Sequence, residues 1–367
     1  MRTVQRLVYR EVLSAVAFTT LAFLALMFFF DFVDQLGRIG RPGYTISSAL
    51  LSTTLELPGR FYELFPITVL IGSIYALSRL AQSSEFTILR TAGLGPGRAL
   101  GLLTALGLLF ALMTLLVGDV LAPAAEQKNV SLKAAASGSL SVGPAGAWMR
   151  DRVDDASGQH RTVSVHVARL GAAGELQGVR IYEFDADGRL QRRIEAQRAM
   201  ADEDGRWTLS EVREDRWGTS TGPVDVLQWP TLQWNSNLKA SVVSAAVLPV
   251  GTMTTLELWR YSRHLSQQDQ AFALHAIAFW KKALYPMACF VMLGLALPFA
   301  YLHARGGGIS WKVFGGIMIG ISFMVFNSLS SHLGLLQGWS PWVAAAAPGL
   351  LYLMVSLGAF AWLVRYR

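Results

Sequence analysis

The chain has 367 residues, 52% of them hydrophobic and only 16% charged, with a formal charge of +7. Soluble domains carry about a quarter charged residues, so this depletion, with apolar residues gathered in long blocks, excludes an ordinary soluble protein and points to a bilayer. The basic residues sit at the ends of those blocks and form no nucleic-acid motif, so orientation in a membrane accounts for them. The single cysteine, Cys289, lies inside an apolar block and reads as a small packing residue; one cysteine says nothing about redox compartment.

Arg2, Arg6 and Arg10 precede the first block, and no small-residue cleavage site comes after it. It reads as an uncleaved membrane helix, not a signal peptide. The blocks cover about residues 12–33, 57–80 and 99–122, then 272–302, 313–336 and 342–364, with a polar stretch from about 128 to 251 between the two groups. Each is long enough for a helix of about 20 residues, which spans a bilayer. The expected architecture is a membrane α-helical protein with six helices, three plus three. Residues 1–127 carry helices one to three, 128–253 an inserted domain, and 254–367 a connecting helix and helices four to six. With alternating helices, Arg2, Arg6, Arg10, Arg79, Arg90, Arg98, Arg305, Lys312, Arg365 and Arg367 fall on one side, and the loop at 332–341 has no Lys or Arg. The positive-inside rule makes that side cytoplasmic, holding both termini, and puts the insert outside.

The insert reads as all-β. Val163, Val165 and Val167 alternate with polar residues; Val179, Ile181 and Phe184 run into a turn at Asp185-Ala186-Asp187-Gly188. A second turn, Asp202-Glu203-Asp204-Gly205, precedes Trp207 and Leu209, and Trp229 and Trp234 come later. Short strands with Asp/Gly turns suggest a sandwich or jelly roll. Thr254-Thr255-Leu256-Glu257 is a capping box that opens a short connecting helix, with Leu258, Tyr261 and Leu265 on one face.

No catalytic or metal-binding constellation is present: the histidines are scattered, and the nucleophile-elbow, zinc and phosphate-loop signatures are missing. Any ATP used must be bound by another chain. Between helices two and three, Ser83 or Ser84 can cap a helix, Glu85 suits its first turn, Gly93 its end, and Phe86 and Leu89 give it an apolar face. Two readings stand: a cytoplasmic helix that plugs into a partner's cleft, or an amphipathic helix lying on the membrane. Asp31 and Asp34 close helix one and share a face. They are either functional intramembrane carboxylates or solvated helix-end charges. Arg38, Arg41, Arg60, Lys128 and Lys133 lie near the outer mouth, as contacts for an anionic head group or as snorkelling anchors. Gly316 and Gly320 form a G-x-x-x-G pair in helix five, for packing within the chain or at a moving interface.

Three segments carry a family likeness. Asp31-Phe32-Val33-Asp34-Gln35-Leu36 contains F-V-D-Q-L at the end of helix one. Leu80-Ala81-Gln82-Ser83-Ser84-Glu85, with Ala92-Gly93 after it, is similar to a coupling-helix signature. Gly118-Asp119-Val120-Leu121-Ala122-Pro123 with Glu126-Gln127 marks the exit of helix three. With the three-plus-three layout and the β insert, the chain resembles over its whole length the LptF/LptG family, permeases of the lipopolysaccharide exporter. The F-V-D-Q-L match favours the LptG branch. The resemblance implies a subunit that extracts lipopolysaccharide from the inner membrane of a Gram-negative bacterium. It implies a jelly-roll-like periplasmic domain continuing into LptC and LptA, LptF as sister permease, and an LptB dimer that holds the ATP and Mg, with no cofactor on this chain. It makes Glu85, Phe86, Leu89 and Arg90 the coupling helix. Asp34, Arg38, Arg41, Arg60, Lys128 and Lys133 become head-group contacts, and Gly316 and Gly320 packing residues at a gate. Lipid A has acyl chains below and phosphates above, so Phe28, Phe30, Ile317 and Ile321 would supply apolar walls where helix one of one permease meets helix five of the other. Two departures stand out. Asp31 occupies a position that is basic in some relatives, and in the stretch after helix three where the family often has arginines stand Lys128 and Lys133, of which only Lys133 occupies a matching basic position; arginine forks onto phosphate as lysine does not.

Four rival readings are set against this. The sister permease LptF would have the same role. Lipoprotein-release or MacB-like permeases have four membrane helices, with the insert after the first. An ion-coupled secondary transporter calls for mid-membrane charge and broken helices. A membrane-anchored periplasmic enzyme calls for a catalytic cluster in the insert.

Overall fold

The computed structural model describes residues 2–39, 44–82, 96–137, 140–141, 147–154, 160–170, 175–185, 187–202, 206–217, 224–235, 250–264, 269–301 and 309–365. The chain divides into two compact units. One comprises Met1–Gly37, Thr53–Glu126 and Met253–Arg367; the other comprises Arg38–Ser52 and Gln127–Thr252. Arg38–Ser52, which the sequence places among the membrane helices, thus groups with the β insert.

The helices are α1 (Arg2–Leu36), α2 (Ile46–Gln82) and α3 (Pro96–Leu116), which runs through a π-turn (Val117–Leu121) into α4 (Ala122–Ser137). Then come α5 (Thr255–His264), α6 (Asp269–Tyr301), α7 (Ile309–Leu336) and α8 (Pro341–Arg365). Among the described residues, six spans are long and apolar enough to cross a membrane: Gln5–Leu36, Ile46–Gln82, Gly101–Lys133, Ala273–Pro298, Ile309–Leu336 and Pro341–Ala361. They coincide with the six blocks seen in the sequence. Several run further than their block, because helix continues into polar turns that hydropathy leaves out.

In lipid, helices associate through close packing of small residues and a few polar contacts. α2 is the hub: 78% of its most apolar window is buried, against 22% for α1, α7 and α8. A Cβ on Gly72 would lie 2.7 Å from Val16 Cα, so the backbones of α1 and α2 touch there. One turn away, the Thr20 and Thr68 hydroxyls pair at 2.8 Å. Gly316 and Gly320 sit against α2 of the same chain: an added Cβ would come within 2.6 Å of Ile74 Cδ1 and of Ile67 Cγ2 respectively. The within-chain reading of this pair therefore accounts for both glycines. Gly107 fits under Phe290, joining α3 to α6, and a Cβ on Gly294 would lie 2.7 Å from Ser356 Oγ, joining α6 to α8. Cys289 is fully buried and bonds Thr114 at 3.2 Å, a packing residue as expected.

The β unit holds β1 (Leu140–Ser141), β2 (Ala147–Asp154), β3 (His160–Leu170), β4 (Leu176–Phe184), β5 (Leu190–Ala201), β6 (Arg206–Trp217) and β7 (Val224–Asn235). They form one antiparallel sheet in the order β1-β3-β4-β5-β6-β7, with β2 also on β3. Val163, Val165, Val167, Val179, Ile181, Trp207 and Leu209 are buried together, as their alternation implies; Trp229 is 41% exposed. Gly188 (φ +77°) closes the turn after Phe184, where the Asp185 carboxylate accepts from Arg189 N–H at 2.8 Å. Most of the second turn, 203–205, lies outside the described residues.

The inner face changes parity across the sheet. Buried positions run Leu176 then Val179, Ala199 then Ala196, and Leu209 then Val212. The change falls on one line, where Gly178 (φ +64°) and Glu211 (φ +55°) occupy left-handed conformations and Pro230 lies in the facing edge strand. Register is unbroken there, so β4 to β7 kink together and the sheet folds. Trp234 confirms it. In a flat sheet, Trp234 opposite Trp207 and Glu183 in register with Arg192 and Arg216 would be about 30 Å apart, yet Trp234 Nε1 donates to Glu183 at 2.9 Å. The two flanks of one folded sheet thus face each other around one core, the jelly-roll-like arrangement in a single sheet.

Candidate functional site

Two ion pairs measure the membrane unit. Arg79 meets Glu11 at 3.5 Å, and Arg60 forks onto Asp31, with Nε at 2.9 Å and Nη2 at 2.8 Å. Between them α1 runs from Glu11 to Asp31 with no charge, and α2 from Arg60 to Arg79 with only Glu63, next to the Arg60 end. Twenty residues of helix rise about 30 Å, the thickness of bilayer hydrocarbon. The antiparallel α1–α2 pair is therefore pinned at both faces of the apolar layer.

The Asp31–Arg60 end opens into a layer of polar groups across four spans. Arg60 also approaches Glu63 at 3.5 Å, and the Tyr285 hydroxyl of α6 donates to the Glu63 carbonyl at 2.6 Å. The rings of Tyr62 and Tyr285 pack at 4.6 Å. Lys282 donates to the Met253 carbonyl at 2.6 Å and lies 3.9 Å from Asp119. Asp119, on the π-turn, accepts from the Thr255 backbone N–H at 2.6 Å. Lys281 and Lys282 fall inside the block read from the sequence as the fourth apolar helix; isolated charges vanish in a hydropathy average.

Next to this layer, α1 and α7 present open apolar faces. α2 covers one side of each, at Val16 and at Gly316 and Gly320. The opposite sides carry Phe18, Leu21, Phe29 and Phe30 on α1, and Trp311, Met318, Ile321 and Val325 on α7, all exposed. Of the four wall residues named from the sequence, Phe30 (54%) and Ile321 (49%) lie on these faces, while Phe28 and Ile317 are half-buried. Phe28 stacks on Phe32 at 6.4 Å.

The charged candidates separate. Asp31 is held by Arg60, whereas Asp34, one turn on, is exposed. Arg60 is therefore no isolated cation: its guanidinium already has a carboxylate. Arg38 and Lys128 are exposed and Lys133 half-buried, all three in the β unit. Arg41 and Glu85, Phe86, Leu89 and Arg90, expected from the sequence to form a coupling helix, lie outside the described residues. The capping box is formed as expected: Thr254 N–H donates to Glu257 at 2.8 Å, and Glu257 N–H to the Thr254 hydroxyl at 3.2 Å. Leu258 and Tyr261 are buried, and Leu265 falls outside the described residues.

This arrangement offers an apolar bilayer-facing surface capped by fixed charge, which suits an amphiphile with acyl chains and a polar head; it holds no arrangement for bond chemistry among the described residues. Comparison with known proteins agrees. Residues 6–365 match the family model described as lipopolysaccharide export system permease LptF/LptG. The chain is 26% identical to the lipopolysaccharide export system permease protein LptG of Escherichia coli (strain K12), over 96% of each chain. It is also 26% identical to the protein of that name from Haemophilus influenzae, again over 96% of each. The chain is a multi-pass membrane permease of the lipopolysaccharide export system, a transport subunit belonging to the LptF/LptG family.

Proposed function

We propose that this chain fills the LptG position in the exporter. It pairs with LptF, is driven by an LptB dimer that binds ATP and Mg, and passes lipopolysaccharide through LptC to LptA. Both termini lie in the cytoplasm of a Gram-negative cell and the β unit, about residues 128–253, lies in the periplasm. Residues 84–93 dock on LptB, with Glu85, Phe86, Leu89 and Arg90 at the contact. Acyl chains enter along the open faces of α1 and α7, against Phe28, Phe30, Ile317 and Ile321. The phosphorylated sugar meets Arg38, Arg41, Lys128 and Lys133, with Asp34 nearby, and Arg60 contributes while paired to Asp31.

The observation that supports this most is the pair of open apolar faces beside a polar layer, on the two spans that α2 covers only from one side. A secondary transporter needs ionisable groups at mid-membrane; the stretch from Glu11 to Asp31 in α1 has none. Coexpression with candidate LptB and LptF, affinity purification in mild detergent, and mass spectrometry test the reading. Recovery of both proteins with lipid A-containing glycolipid is expected. A chain that purifies alone and without glycolipid would overturn it.

A further inference from the structure

We infer that Asp119 is a positioning residue for transport: it clamps the segment by which the chain re-enters the membrane unit onto the helix by which it leaves. The inference rests on the exporter reading. The chain passes to the β unit between Glu126 and Gln127 and returns between Thr252 and Met253. Asp119 lies in the last turns before the exit, and Thr255 just after the return. Their 2.6 Å hydrogen bond joins groups 136 residues apart in sequence.

The bond fills a gap in local capping. A helix start leaves several N–H groups without partners. The box at α5 satisfies Thr254 N–H through Glu257 and Glu257 N–H through Thr254. Neither of those bonds reaches Thr255 N–H; Asp119 supplies its acceptor, and a carboxylate suits the positive end of a helix. The π-turn puts Asp119 in place. Ala122 N–H bonds back to Val117 O, so one extra residue enters the turn and rotates α4 by about 100° relative to α3. Such turns gather at functional positions. Here α2 holds the turn in place: a Cβ on Gly118 would lie 2.3 Å from the Tyr62 ring, so only glycine fits. From α6, Lys282 completes the clamp by donating to Met253 O at 2.6 Å while standing 3.9 Å from Asp119. The return segment and α6 therefore meet at one carboxylate on the π-turn, while α2 packs on the glycine beside it.

A shift of the third or fourth span is thereby passed to the start of α5 and to the return segment. Without the clamp, the spans move while the return segment stays behind, so ATP hydrolysis and glycolipid delivery part company. The test uses the complex with LptB and LptF, with Asp119→Ala and Asp119→Asn. Three quantities are read: hydrogen exchange over residues 255–258, ATP hydrolysis, and delivery of glycolipid to a soluble periplasmic acceptor. In Asp119→Ala, exchange is expected to rise about five- to tenfold, the loss of one capping acceptor. Hydrolysis should stay within about twofold and delivery fall about tenfold. Asp119→Asn keeps an oxygen for Thr255 N–H and should retain protection and most delivery. Unchanged exchange in Asp119→Ala overturns the clamp. So does raised exchange with wild-type delivery, and so does a parallel fall of hydrolysis, delivery and complex recovery, which marks a merely structural residue. If the wild-type complex delivers no glycolipid, the exporter reading fails, and the exchange comparison still decides the clamp.

Discussion

Replacing Gly72 with alanine forces a methyl group into the α1–α2 contact. Its Cβ would stand 2.7 Å from Val16 Cα and 2.8 Å from Val16 N. Carbon atoms pack at about 3.5–4.0 Å, and the obstacle is backbone, which has no rotamer to escape through. The helices must separate by about 1 Å. Overpacking of this kind costs about 1–3 kcal/mol. The Thr20–Thr68 bond, 2.8 Å long and one turn away, stretches with it; polar contacts between membrane helices are worth about 0.5–1.5 kcal/mol. The sum is about 1.5–4.5 kcal/mol. Two other glycines calibrate it. At Gly316 the obstacle is the Cδ1 tip of Ile74, which can swing away, so Gly316→Ala should cost about 1 kcal/mol or less. Gly59 has nothing within 4 Å, so Gly59→Ala should be neutral or gain a few tenths of a kcal/mol from helix propensity. Unfolding midpoints in a denaturing detergent titration give the order, with Gly72→Ala least stable. Equal midpoints for Gly72→Ala and Gly59→Ala would refute the close α1–α2 contact, and with it the placement of Phe30 on the face turned away from α2.

The Asp31–Arg60 pair should show a coupling of about 1–2 kcal/mol in a double-mutant cycle of Asp31→Asn and Arg60→Gln, since Asp31 is mostly buried and the fork is bidentate; additive single effects would dismiss it. Gly178→Ala should lower the thermal midpoint, because it puts a side chain at φ +64° with Ala168 Cβ 3.0 Å away, a cost of about 1–2 kcal/mol, whereas Glu211→Gly at φ +55° should hold or raise it. Glu214 is fully buried, and burial alone would raise its pKa; hydrogen bonds from Arg192, Arg216 and Trp229 outweigh that and hold the carboxyl below its ordinary value of 4.5. A folded pKa below the unfolded one contributes stability above about pH 4.5 that is lost as pH falls through the lower value. The β unit should therefore lose amide protection in acid below that pH, and Glu214→Gln should flatten this dependence while costing about 2–4 kcal/mol at neutral pH; an unchanged acid profile would count against it.

The six spans were legible because a bilayer demands about 20 apolar residues in a row, a signal that needs no tertiary information. The capping box and the Asp185–Gly188 turn were legible for the same reason: their chemistry is local. The features concealed in the sequence are long-range. The kink across β4 to β7 depends on Gly178, Glu211 and Pro230 falling on one register line, which only pairing reveals. Asp31 and Asp34 look equivalent at a spacing of three, yet only Asp31 meets Arg60, from another helix. Asp119 was visible as part of a family-like motif, but its partners are Thr255 and Lys282, far along the chain. Gly316 and Gly320 announced close packing without saying against what; Ile74 and Ile67 answer that.

The most direct test of the transport account is site-specific photocrosslinking in the assembled exporter. A photoreactive phenylalanine replaces Phe30 on α1, Ile321 on α7, or Leu351 on α8, all exposed on the surface of this chain. Lipid A-containing glycolipid should be captured at Phe30 and Ile321 and lost on ATP addition, while Leu351 captures only bulk phospholipid. Equal capture at all three positions, or none at Phe30 and Ile321, would contradict a substrate path along the open faces of α1 and α7.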